Sequence, residues 1–178
     1  MPFAAPPALK PGDAIAIVAP AGPFDRPSFD AGLAPLSARY RVRFDDGLFA
    51  PHGYLAGDAA RRQKELDAAL TDPELCGVFT ARGGYGSARL LKALKHGSPR
   101  IFAGFSDVTS IHGALQARGV RSLHAPVLTQ LGKQPAASVD RFLALLEQTA
   151  PPPPLTGGTP IVAGVAEGPL IGGNLSVL

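Results

Sequence analysis

One serine in this chain stands where an apolar run gives way to a helical pattern, in Ile101-Phe102-Ala103-Gly104-Phe105-Ser106-Asp107-Val108-Thr109. A strand over residues 101–105 followed at once by a helix makes a sharp elbow. Such an elbow on a parallel sheet projects its side chain from the C-terminal edge, where ligands bind. Gly104 relieves crowding under the turn, and the Asp107 N–H falls in a first helical turn, free to donate to a developing oxyanion. Two roles fit Ser106 directly: a nucleophile, or a cap for the helix that begins at Asp107. Ligand binding without chemistry is a third. The second glycine of the G-x-S-x-G elbow is missing, since Val108 takes its place.

A second segment, Arg82-Gly83-Gly84-Tyr85-Gly86, links another strand to another helical pattern. Its glycines let backbone N–H groups come close to a ligand, although neither the dinucleotide fingerprint nor the P-loop is present. Arg82 carries the planar fork that suits a carboxylate, from a substrate or from an acidic neighbour. Tyr85 either lines a substrate cleft or packs over the glycine loop. His124 lies by a strand end at the same edge, as a substrate contact or a hydrogen-bonded core histidine. His112 reads as a helix residue, His52 and His96 as loop residues. Cys76 opens an apolar strand and reads as a small buried hydrophobe.

The bulk composition narrows the classes. The chain has 178 residues, 46% hydrophobic and 17% charged, which suits a folded domain rather than a disordered chain. Its net charge of +3 is small and its 17 basic residues form no block, so nucleic acid is not an expected partner. A single cysteine and no Cys/His cluster exclude an internal disulfide and argue against a metal site. No cofactor signature is present. No apolar run approaches the roughly 20 residues that span a bilayer, and the start lacks a signal-peptide pattern, so the expectation is a cytoplasmic protein without a membrane partner.

The elements that must position these residues alternate. Ala14 to Val18 reads as a buried strand, Phe29 to Ala38 as a helix that Pro35 should interrupt, and Arg41 to Phe44 as a second strand. A loop runs from Asp45 to Gly57. Asp58 caps a helix to Leu70, Leu75 to Thr80 is a strand, and Ser87 to Lys95 is a helix with Leu90, Leu91 and Leu94 inward. After the strand and helix around Ser106, Gly119 closes that helix, a strand falls near Val120 to Leu123, and a helix runs from Ser138 to Leu146. The alternation predicts an α/β fold with an open, mainly parallel sheet flanked by helices over residues 1–148. Pro151 to Pro154 marks a linker over 149–160. Residues 161–178, with Ile161 to Val165 and Pro169 to Gly173 as strand and tight turn, read as the start of a truncated second domain.

Five segments in order carry a resemblance: Gly12 to Pro23, Tyr54 to Gly57, Ala81 to Gly86, Gly104 to Thr109, and Glu167 to Leu175. Together they resemble the serine LD-carboxypeptidase family, which includes muropeptide LD-carboxypeptidases and microcin-immunity hydrolases. The resemblance implies Ser106 as nucleophile and an oxyanion hole from the Asp107 N–H with Gly83 or Gly84. It implies metal-free acyl transfer through a Ser-Glu-His triad whose Glu and His follow the Gly172-Gly173-Asn174 segment, so both are expected beyond Leu178 and Glu167 is not the triad glutamate. Residues 1–178 alone are therefore expected to be inactive. The implied substrate is a muropeptide tetrapeptide or other small peptide, with terminal D-alanine released in cytoplasmic peptidoglycan recycling by a homodimer of the full-length protein. The alternatives are a microcin-immunity-like hydrolase of peptidyl or aminoacyl nucleotides and a catalytically inactive ligand-binding relative.

Overall fold

The computed structural model describes residues 3–149, 157–159 and 161–178. Five strands form one sheet: β1 (Ala14–Val18), β2 (Arg41–Arg43), β3 (Leu75–Thr80), β4 (Ile101–Gly104) and β5 (Leu123–His124). Their order is β2-β1-β3-β4-β5 and every pairing is parallel. Chain direction across the sheet reverses between β1 and β3, the switch point at which such sheets open a crevice at their C-terminal edge.

Both faces are covered, which is why the central strands β1, β3 and β4 are largely apolar rather than alternating, while edge strand β2 exposes Arg41 and Arg43. Ile15, Ile17, Phe79, Ile101 and Ala103 pack on one face beneath α1 (Arg26–Ser37), α4 (Leu128–Leu131) and α5 (Ala136–Leu146), whose Phe29, Leu36, Leu131 and Phe142 complete that core. Ala14, Ala16, Val18, Val78 and Phe102 pack on the other beneath α2 (Ala59–Thr71) and α3 (Thr109–Ala117), with Leu66, Leu70, Ile111 and Leu115.

Local rules account for the element ends. The Asp25 side chain accepts the Ser28 N–H at 2.8 Å and that of Asp58 accepts the Arg61 N–H at 2.7 Å, each capping a helix start. Pro35 lies inside α1 without breaking it, because in the last turn it deletes a single ladder bond. Residues Ser87–Ala93 form a 3-10 helix, not the α-helix expected: Gly86, at φ 110°, brings the chain in and the first N–H is bonded from outside the element. The strand expected at Val120 to Leu123 begins later, at Leu123; Val120 makes only a lone bridge to Ala4.

Two further departures stand out. Helix α4 was not anticipated from the sequence. The apolar segments at Ile161 to Val165 and Pro169 to Gly173 form no strand among the described residues, and Ile161, Val162 and Val165 lie almost wholly exposed. Most of the proposed linker, including Pro151 to Pro154, falls outside the described residues.

Candidate active site

Ser106 sits at the end of β4 with φ 69°, a left-handed conformation that a serine adopts only when its surroundings force it. The forcing is visible. Beneath the turn, a Cβ on Gly104 would overlap Thr80 Oγ1 and lie 2.9 Å from Val108 Cγ2, so no side chain fits there. The Asp107 carboxylate holds the other side: its Oδ2 accepts the Ser87 N–H at 2.8 Å, while Ser87 Oγ donates to the Asp107 carbonyl at 2.8 Å. The helix-capping role weighed for Ser106 is not what the structure records. No hydrogen bond from a side-chain cap is made at this turn, and the capping carboxylate is that of Asp107, acting on a different element.

The glycine loop lies directly against the elbow. A Cβ on Gly83 would stand 2.6 Å from Ser106 Cβ and 2.9 Å from Ser106 Oγ, a separation open only to glycine. The Gly83 carbonyl accepts the Gly22 N–H at 2.9 Å, which ties the loop after β3 to the loop after β1. Because a trans peptide points its N–H opposite its C=O, the Gly84 N–H faces away from Gly22, and it has no acceptor among the described residues.

These residues line a cleft of about 740 Å³ at the switch point, bounded by Pro23, Asp25, Arg82, Gly83, Gly84, Phe105, Ser106 and Lys133 among others. Charge of both signs faces it. Hydrogen bonding from Ser28 holds the Asp25 carboxyl below its ordinary value, while Arg82 donates to the Pro23 carbonyl and makes no ion pair with an acidic side chain among the described residues. Among the described residues the cleft lining contains no histidine and no glutamate. Asp25 and Lys133 were not singled out in the sequence, for nothing in their neighbourhoods distinguishes them from surface charges. No group of residues suited to a metal ion occurs among the described residues.

Two sequence candidates stand outside this cleft. Tyr85 is exposed, its ring centroid 5.8 Å from that of Tyr54 and with the Arg89 guanidinium over it at 5.3 Å. His124 is also exposed and packs its ring edgewise near Phe105, at 6.0 Å. His112 is the buried histidine. Its Nε2 lies 2.9 Å from the Gly104 carbonyl, which can only accept, so Nε2 carries the proton and Nδ1 accepts from Ser122 Oγ at 2.7 Å. Burial pushes its pKa down and keeps it neutral. It therefore supports the elbow from below.

Comparison with known proteins accords with this arrangement. The family model described as the LD-carboxypeptidase N-terminal domain matches residues 15–125, which include the Gly83–Gly84 loop and the Ser106 elbow. A Synechocystis sp. relative is 39% identical over 180 residues, covering 98% of this chain and 59% of its own length. The murein tetrapeptide carboxypeptidase of Pseudomonas aeruginosa is 34% identical, over 92% of this chain and 58% of its own. The chain thus spans a little under three fifths of the length of these two curated relatives. Among solved structures, the MccF-like protein of Bacillus anthracis superposes with a TM-score of 0.72 at 24% identity, over 80% of this chain and 47% of that one, a likeness of fold. A doubly covered parallel sheet, a strained serine against a glycine loop and a family match across both place this chain in the LD-carboxypeptidase family, as its N-terminal domain.

Proposed function

We propose that this chain supplies the nucleophile and oxyanion hole of a serine LD-carboxypeptidase that removes the terminal D-alanine from murein tetrapeptides. The observation that carries the reading is the left-handed Ser106 packed against Gly83 at the mouth of the cleft. Ser106 Oγ attacks the carbonyl of the L-centre, and the oxyanion takes hydrogen bonds from the Asp107 N–H and the Gly83–Gly84 loop, where the outward-facing Gly84 N–H is the favoured donor. One such donor is worth about 3 kcal/mol to the transition state. Arg82, with Lys133, supplies positive charge for the terminal carboxylate that a carboxypeptidase must recognise.

The general base and its orienting acid are proposed to come from outside the described lining of this cleft, which holds neither histidine nor glutamate. That base takes the Ser106 proton and returns it to the D-alanine amine as the scissile C–N bond breaks; water, deprotonated by the same base, then hydrolyses the acyl-enzyme ester and frees Ser106. The named Pseudomonas aeruginosa relative favours a murein substrate over a nucleotide-linked one. The experiment is to offer the protein, as its gene encodes it, tetrapeptides ending in D-alanine or L-alanine and an aminoacyl sulfamoyl nucleotide. Release from the D-terminated peptide alone supports the proposal; cleavage of the nucleotide alone overturns the substrate assignment.

A further inference from the structure

We propose that Arg62 is a positioning residue for the oxyanion loop, its buried guanidinium fixing Gly83–Gly86 against Ser106 by bridging three loops at the C-terminal edge of the sheet. This deepens the function proposed above and rests on it. Arg62 lies on α2, no residue of which lines the cleft, yet its side chain is wholly buried. Its Nε donates to the Gly57 carbonyl at 3.0 Å, and its Nη1 to the Pro20 carbonyl at 2.6 Å and the Gly86 carbonyl at 3.1 Å. Those carbonyls belong to the loop that precedes α2, the loop after β1 and the loop after β3.

A guanidinium is costly to bury, and this one makes no ion pair among the described residues. What stabilises it is the set of carbonyl dipoles: burial, with the charges of Arg61 and Arg89, pulls its pKa down, and Asp107 and Asp58 offset part of that. The connectivity leads to the nucleophile from both sides. From Gly86 the chain passes to Ser87, whose N–H is bonded to Asp107, the residue next to Ser106. From Pro20 it passes to Gly22, whose N–H is bonded to the Gly83 carbonyl. Arg62 thus clasps the glycine loop at its end and through its neighbour. A lysine ammonium carries its donors on one nitrogen and does not reproduce the fork of Nε and Nη1 that reaches these carbonyls.

Arg100 provides a matched control. It too is buried, and its Nη1 donates to the Ala69 and Leu75 carbonyls at 3.1 Å each, but Leu75 begins β3 and so lies at the opposite edge of the sheet. Arg62→Lys and Arg100→Lys are compared in the protein as its gene encodes it, by thermal unfolding, by kcat and KM for the D-alanine-terminated tetrapeptide, and by amide hydrogen exchange. Both variants unfold at lower temperature. Only Arg62→Lys lowers kcat, by about tenfold or more with KM within about twofold, and only it speeds exchange at Gly83–Ser87. Parental kcat and exchange in Arg62→Lys, or the same losses in Arg100→Lys, overturn the proposal. Absence of turnover in the parent overturns the proposed function instead, and the exchange comparison still decides the role of Arg62.

Discussion

At Ser106 geometry and stability pull in opposite directions. A left-handed conformation costs an ordinary residue about 1–2 kcal/mol, and glycine escapes that cost. Ser106→Gly is therefore expected to be more stable than Ser106→Ala, by up to about 1 kcal/mol after glycine's greater chain entropy is offset. Urea unfolding of the two variants measures it, and a less stable glycine variant contradicts the strain. His112 below the elbow gives a pH signature. Its folded pKa is lowered from 6.5 by burial, so the unfolded chain binds the proton first as pH falls. The stability it contributes is complete above pH 6.5 and is lost as pH drops toward its folded value. His112→Gln should flatten the stability profile on the acid side of 6.5, as followed by unfolding at a series of pH values.

Among the elements, α1 and α4 touch through glycine. A Cβ on Gly32 would overlap the Leu128 carbonyl oxygen, and one on Gly132 would lie 2.5 Å from the Ala31 carbonyl carbon. Gly32→Ala should cost about 1–3 kcal/mol by overpacking, whereas Gly113→Ala, in α3 with open space around it, should stabilise by up to about 1 kcal/mol. Thermal unfolding of both separates close packing from helix propensity. The same elements show what the sequence discloses. β1 and β3 are legible to the residue because short apolar runs bounded by turn residues have few alternatives, and the Asp58 cap because its side chain acts locally. Helix α4 escapes because four residues carry no periodicity. Arg62 escapes because two of the three loops it bridges, at Pro20 and Gly86, are distant in sequence, and an arginine on a helix reads as a surface charge. Ser106 and the glycine loop are legible as separate motifs, but their contact is set by the sheet order.

On the scale of the whole molecule, residues 161–178 stand apart from the domain that precedes them. Leu170 and Leu175 are largely exposed, while the Asn174 N–H is bonded to Thr109 Oγ1 at 3.0 Å, at the start of the helix that follows Ser106. A Cβ on Gly173 would crowd Thr109, 2.6 Å from that same oxygen. The tail thus touches the elbow helix while its apolar side chains lack cover among the described residues. With no histidine in the cleft among the described residues, residues 1–178 alone are expected to release no D-alanine from a murein tetrapeptide, measured against the protein as its gene encodes it; equal rates from a longer gene product and from residues 1–178 place a general base within these residues. The role proposed for Ser106 is that of nucleophile, and removal of its oxygen tests that role. D-alanine release from a murein tetrapeptide is measured for the protein as its gene encodes it and for Ser106→Ala, with folding checked by circular dichroism. Ser106→Ala is expected to lose at least about 10³-fold in kcat. A folded Ser106→Ala protein with near-parental turnover would contradict it.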